Sequence, residues 1–281
     1  MALTPRPEQT FLAITREEAM DEGLKGQVTR SAAEIYEEFF VPALFRQWAP
    51  VVADAAATKA GQRVLDVACG TGVLARKAAD QGGSVTGLDR NEGMLEMAKR
   101  MAPSIEWKTG RAEQLPFPDA SFDAVVSQFG LMFFDDRAEA LREMRRVLKP
   151  GGRLAVAVWD ALENSPGYAA MAALLERLFG ARIANELHAP FALGDADALR
   201  ALFAVAGMSD AKVAIHAGTA RFPSIAAWVR TDVKGWTLAD LIDDEQYALL
   251  QREAAVALQP YAKADGIVAF KAPALIATVA I

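Results

Sequence analysis

Between Arg63 and Trp159 the chain repeats one pattern: a short apolar run, a turn, then a stretch with helical spacing. Apolar strands that alternate with helices need crossovers, so they form a parallel sheet covered on both faces. The pattern predicts strands at RVLDVA (63–68), SVTGLD (84–89), IEWKTG (105–110, the weakest), FDAVVSQF (122–129) and RLAVAVW (153–159). VLARKAADQ reads as a helix stopped by Gly82-Gly83. Asn91 can cap the next helix, where Met94, Met97 and Met101 recur as core-facing positions before Pro103 ends it. Asp136 with Glu139 resembles a capping box for the helix holding Leu141, Met144 and Leu148.

On either side the rhythm changes. Residues 1–60 are helical in flavour and form a cap, with Tyr36, Phe39 and Phe40 on one stretch and Pro42 as an interruption. After Asp160 come helices over 161–190 and ADALRALFAVAG, strands at AKVAIHA and PALIATVAI, and an inserted, mostly helical stretch at 222–259 carrying Trp228 and Trp236. No stretch has the composition of a linker. The expectation is one domain over 1–281: a cap (1–60), a cofactor-binding core (61–160) and an acceptor-side half (161–281).

Charge and cysteine content exclude several classes. With 30 Lys+Arg against 36 Asp+Glu the net charge is −6, a poor balance for neutralising nucleic-acid phosphates. The basic run from Arg137 to Lys149 carries Glu139 and Glu143 as partners and reads as a solvated helix face. One cysteine, Cys69, forbids an intramolecular disulfide, and with two histidines it argues against a zinc site. No apolar run approaches membrane-spanning length, and MALTPRPEQT has no apolar signal core. The expectation is a cytoplasmic protein with no nucleic-acid partner, no membrane span and no metal.

In open α/β sheets ligands bind at the carboxyl ends of strands, near the switch in strand order. That points to Asp66-Val67-Ala68-Cys69-Gly70-Thr71-Gly72. Gly70 and Gly72 allow a sharp turn and close approach to a ligand. Nucleotide, flavin and methyl-donor sites all use such turns. The spacing is not GxGxxG, and Asp66 at the loop entry would repel a pyrophosphate at the helix N-terminus. S-adenosylmethionine carries no phosphate, and its sulfonium and ammonium are cationic, so an acid there is favourable. Asp89 ends the second run, 23 residues after Asp66, where an acid can accept hydrogen bonds from ribose hydroxyls. A nicotinamide-dependent oxidoreductase and a non-catalytic cofactor-binding scaffold are the competing readings.

The stretch from Val64 to Asp160 resembles the class I S-adenosylmethionine-dependent methyltransferases, in the style of the type 11 group with its ubiquinone/menaquinone C-methyltransferase-like members. The resemblance rests on VLDVACGTG (64–72), GLDRNEGML (87–95), AEQLPFPDASFDAVVSQF (112–129) and LREMRRVLKPGGRLAV (141–156). It implies a doubly wound, Rossmann-like, mostly parallel seven-stranded α/β sheet with helical N-terminal and inserted lid elements. It also implies S-adenosyl-L-methionine as cofactor and a small, apolar or aromatic methyl acceptor. By position, Asp66, Ala68 and Gly70 would line the methionine half, and Gly72 would also bind the cofactor. Asp89 would hold the ribose, with Arg90 and Met94 beside the adenine and Ala112 and Glu113 at its edge. Ser127 and Gln128 would face the methionine moiety and the acceptor. Ala68 stands where glycine is common, a mild change if its φ is negative, and Arg111 stands where an acid is common.

For the acceptor, Tyr36, Phe129 and Trp228 are the candidate contacts. His188, in the ELHAPFALGD stretch, is the candidate catalytic group. Tyr36 on the cap and Trp228 on the insertion would form a two-sided lid that converges with His188 on the reacting methyl.

Overall fold

The structure is a computed structural model and describes residues 30–234, 238 and 241–281. Trp236 lies outside the described residues.

The strands are β1 (Arg63–Val67), β2 (Ser84–Asp89), β3 (Glu106–Thr109), β4 (Phe122–Gln128), β5 (Leu148–Trp159), β6 (Lys212–His216), β7 (Thr219–Phe222), β8 (Val268–Lys271) and β9 (Ala274–Ala280). Seven form one sheet in the order β3-β2-β1-β4-β5-β9-β6, while β7 and β8 pair separately. The first five are parallel to their neighbours, and β9 runs antiparallel between β5 and β6. The interior strands are buried almost continuously, as strands covered on both faces must be.

The helices are α1 (Arg30–Ile35), α2 (Trp48–Ala55), α3 (Val73–Asp80), α4 (Glu92–Met101), α5 (Arg137–Arg146), α6 (Pro166–Phe179), α7 (Ala181–His188), α8 (Ala196–Val205), α9 (Ile225–Lys234) and α10 (Asp244–Ala257). Asn91 caps α4 by accepting from the Met94 amide. Asp136 caps α5, but Glu139 bonds Arg142, so only half of the predicted box forms. The reciprocal box belongs to Asp243 and Gln246, at the start of α10. As predicted, the basic α5 face is paired, Arg146 with Glu143 at 2.6 Å.

Three local readings are corrected. Pro42 does not interrupt its helix, because residues Tyr36–Phe45 form a π-helix. The wider turn moves the carbonyl that a proline ring would strike in an α-helix. Leu148 is not in the helix: α5 ends at Arg146 and β5 already begins at Leu148, ahead of the expected Arg153, with a register shift against β4. Met101 is 48% exposed, whereas Met94 and Met97 are buried. Strands β7 and β8, which bracket the 222–259 insertion, have no counterpart among the predicted elements.

The chain order places the switch point. From β1 the chain steps outward to β2 and β3, then returns across β1 to β4. The carboxyl ends of β1 and β4 therefore diverge into a crevice.

Candidate functional site

The crevice is a cleft of about 900 Å³ including its mouth. Ala68 and Gly70 line it from the loop after β1, Asp89, Arg90, Asn91 and Met94 from the end of β2 and the start of α4, and Gly110 to Glu113 from the loop after β3. Gln128, Phe129 and Gly130 line it from the end of β4, and Tyr36 covers it from the π-helix.

The loop after β1 is forced into unusual backbone. Ala68, Gly70 and Gly72 have φ of 56°, 54° and 86°. For alanine this left-handed conformation costs roughly 1–2 kcal/mol, so the condition under which Ala68 would be a mild change is not met. Phe129, on the facing loop, has φ of 57°. The two loops touch: a Cβ on Gly130 would lie 2.6 Å from the Ala68 Cβ.

Asp89 is oriented by backbone amides. Its Oδ2 accepts from the Gly70 N–H and its Oδ1 from the Asn91 N–H, both at 2.8 Å. Each carboxylate oxygen keeps a second lone pair for a ligand hydroxyl. Burial raises its pKa against the lowering effect of these bonds. Asp66 lies deeper, 1% exposed. Burial, and then the Asp89 charge, push it well above the usual carboxylate range; the Ala75 amide opposes this without reaching hydrogen-bond geometry.

Both oxygens of Asp66, together with Thr71 Oγ1, Ser127 Oγ and Gln128 Oε1, are buried without hydrogen-bond partners. They gather at the ends of β1 and β4, which pair at Asp66 and Val126. Orphaned polar atoms in one cluster call for a polar ligand. The cationic side is already spent. Arg111 pairs with Asp135 at 2.6 Å and approaches Glu113 at 3.5 Å, and Arg90 lies 3.8 Å from Asp135. The cleft thus suits a hydroxyl-rich cationic ligand better than a diphosphate. Cys69 is no nucleophile, since burial, Asp89 and Asp66 all raise its thiol pKa.

Tyr36 is held over the cleft by an ion pair. Arg76 on α3 donates to Glu37 at 2.7 Å and to the Thr71 carbonyl at 2.6 Å, tying the π-helix to the loop. The Tyr36 ring stacks on Phe45, with centroids 5.2 Å apart.

Behind Phe45 lies a second cavity of about 480 Å³ including its mouth, lined by Phe40, Leu44, Phe45, Trp159, Tyr168, Glu186, Leu187, Pro190, Phe191, Asp232 and Leu238. The wall between the two cavities is aromatic. Phe129 on the cleft side stacks on Trp159 on the cavity side at 3.9 Å, and Phe45 touches both at 5.5 and 6.0 Å.

Of the sequence-derived residues, Ala68, Gly70, Asp89, Arg90, Met94, Ala112, Glu113, Gln128, Tyr36 and Phe129 line the cleft. Asp66 and Ser127 sit buried at its end. Gly72 does not line it. Its role is steric: a Cβ there would lie 2.3 Å from the Trp107 ring. His188 is the exposed last residue of α7, outside both cavities, while its neighbour Leu187 turns inward. Trp228 is fully buried, stacked on Phe222 at 5.5 Å and against Phe270 at 4.7 Å. It packs α9 onto β7 and β8 and lines neither cavity, so of the two expected lid residues only Tyr36 lies at the cleft.

Sequence reasoning missed Phe45, Trp159, Tyr168, Phe191 and Asp232. Trp159 was within reach, since it ends a predicted parallel strand. Asp232 carried no more signal than its place one helical turn after Trp228.

Comparison with known proteins agrees with this geometry. The family described as methyltransferase domain matches residues 65–156. A demethylmenaquinone methyltransferase of Renibacterium salmoninarum is 50% identical over 112 residues, covering 40% of this chain and 47% of that protein. The ubiquinone/menaquinone biosynthesis C-methyltransferase UbiE of Cronobacter sakazakii is 36% identical over 158 residues, covering 52% and 62%. The chain thus spans about half the length of the curated relatives it matches. Among solved structures, the YcgJ protein of Bacillus subtilis superposes with a TM-score of 0.57 at 22% identity, covering 83% of this chain and 97% of that one. The Haemonchus contortus phosphoethanolamine N-methyltransferase 2 in complex with S-adenosyl-L-methionine gives 0.58 at 20% identity, covering 89% and 57%. At these identities the structures share the fold.

Proposed function

We propose, from the premise that residues 65–156 are a class I S-adenosylmethionine-dependent methyltransferase domain of the ubiquinone/menaquinone C-methyltransferase type, that this protein transfers a methyl group from S-adenosylmethionine to a small apolar or aromatic molecule. The observation that carries the reading is the pair of cavities: an acid-rich cleft and an aromatic cavity, sharing the wall of Phe45, Phe129 and Trp159.

When bound, S-adenosylmethionine supplies a methyl group on a sulfonium, whose departure as a neutral thioether needs no proton. Asp89 would accept hydrogen bonds from the ribose hydroxyls, with Arg90, Met94, Ala112 and Glu113 around the adenine. Asp66, Ala68, Gly70, Ser127 and Gln128 would hold the methionine portion. The orphaned oxygens of Asp66, Ser127 and Gln128 are the acceptors such a group would satisfy. The protein's task is then alignment and exclusion of water, which supplies roughly 7–11 kcal/mol in well-oriented reactions. Tyr36 and the aromatic wall serve both. The aromatic lining of the cavity behind the wall favours a planar ring, and quinone precursors, for which two of the relatives are named, fall in that class.

Calorimetry with S-adenosylmethionine tests the first half, with one site per chain expected. Mass spectrometry of a metabolite extract incubated with the protein and a deuterated methyl donor tests the second. Donor binding with no mass-shifted product would leave a cofactor-binding scaffold as the reading.

A further inference from the structure

Asp232 is 5% exposed and lines the apolar cavity, and its Oδ2 is buried without a hydrogen-bond partner. A buried carboxyl group is costly unless it is paired. The cations on its own helix are turned to other partners: Arg230 lies over the Phe39 ring at 5.4 Å, and Lys234 lies 3.5 Å from Asp244. The groups that face Asp232 are Tyr168 from α6 and the Trp228 indole from α9, while Glu186 on α7 lines the same cavity. Tyr168 and Trp228 lower its pKa, but burial outweighs them and holds it up to about 8. Neither Asp232 Oδ2 nor the nearby Trp228 Nε1 reaches full hydrogen-bond geometry, and both are buried.

We propose that Asp232 is the specificity-determining anchor of the apolar cavity: it receives the hydroxyl of a ring-bearing acceptor and excludes rings that carry a carboxylate. The proposal rests on the methyl-transfer reading above only in calling the ligand an acceptor. The chemistry follows from the surroundings. Below pH 8 the neutral carboxyl both donates to and accepts from a hydroxyl, and it offers no charge to an ammonium. A ligand carboxylate would meet Glu186, and with rising pH an ionised Asp232, in a low-dielectric space where like charges repel strongly. Phe45, Trp159, Tyr168 and Phe191 supply the faces for the ring.

The test uses two ring probes of one shape, 2-naphthol and 2-naphthoate, titrated into the full chain by calorimetry at about pH 8.5, where Asp232 is ionised. Naphthol is expected to bind at least tenfold tighter than naphthoate. In Asp232→Asn the ratio should fall below about threefold, with naphthoate gaining, because the like charge is gone. In the native chain naphthoate affinity should fall as the pH is raised from 6 to 8.5, through the ionisation of Asp232, while naphthol affinity holds. An Asp232→Asn ratio unchanged from the native chain, or no naphthol binding at all, overturns the proposal and leaves Asp232 a packing partner of Tyr168 and Trp228. If the variant does not fold, the native pH series decides, and a pH-independent naphthoate affinity overturns it. S-adenosylmethionine binding is measured in parallel. Its absence with Asp232-dependent probe binding would refute methyl transfer and not the anchor.

Discussion

The cleft over β1 and β2 and the cavity behind Phe45 meet at one aromatic wall, but they are assembled differently. The cleft comes mainly from four turns, each directly after a strand of the parallel sheet, and its polar groups are backbone amides and carboxylates within a few residues of those turns. The cavity takes its lining from the π-helix, the end of β5, α6, α7, α9 and the segments following α7 and α9, and its residues span Phe40 to Leu238. A site made of strand-end turns is inherited with the sheet. A site made of side chains from separate helices is set by how those helices pack, and it can vary without disturbing the sheet. That division suits a protein whose donor is constant and whose acceptor is particular.

The sharpest break would come from the shared wall. Trp159→Ala removes the ring stacked on Phe129 and should cost about 3–5 kcal/mol of stability, as for other buried aromatics. Denaturant unfolding measures it. Naphthol binding should be lost while S-adenosylmethionine affinity changes by less than about threefold. Equal loss of both would mean that the two cavities are one site.

On the cleft side, Asp89→Ala removes charged hydrogen bonds that each contribute roughly 1.5–3 kcal/mol. Donor affinity by calorimetry should fall at least tenfold, with naphthol affinity unchanged. Unchanged donor affinity would take Asp89 out of the site.

The carboxyl groups of both cavities answer to pH with the same sign, because burial raises the pKa of each. Asp232 has a folded-state pKa of about 8, raised from the carboxylate range. The unfolded chain therefore ionises first, and stability falls as the pH rises from about 4 to about 8. Asp232→Asn should flatten that decline and raise Tm most at pH 8, where about 1 kcal/mol corresponds to roughly 2–4 °C in a domain of this size. Asp66 and Asp89, also raised, keep a residual slope of the same sign. A variant whose Tm follows the native pH profile would show that Asp232 does not titrate in this range.

Smaller effects bear on the loop and on α7. Ala68→Gly relieves a left-handed alanine and should raise stability by up to about 1 kcal/mol. A loss in the same unfolding experiment would mean that the Ala68 Cβ packing against the Gly130 loop outweighs the strain. His188→Ala should leave stability within about 0.5 kcal/mol, as for exposed positions, and turnover unchanged. A tenfold drop in turnover would return His188 to the acceptor side.

Taken alone, the sequence determined the sheet and the cleft. Four of the five parallel strands were readable because a strand buried on both faces must be an apolar run, whereas the edge strand β3 has no buried residue and gave the weakest signal; the turns were readable because left-handed backbone favours glycine. Asp66 and Asp89 were readable because each lies at or next to the carboxyl end of a strand, where an open sheet binds ligands. Tertiary structure alone decided the rest. Trp228 and His188 had the chemistry of an acceptor site, but packing turned one into the core against Phe222 and Phe270 and left the other in solvent. Asp232, unremarked in WVRTDVK, was brought to the apolar cavity by the docking of α9 against the π-helix and α10. Helical periodicity tells which face of a helix is apolar, but not which neighbour that face will meet. Contacts between elements far apart in the chain are settled by the packing of the whole core.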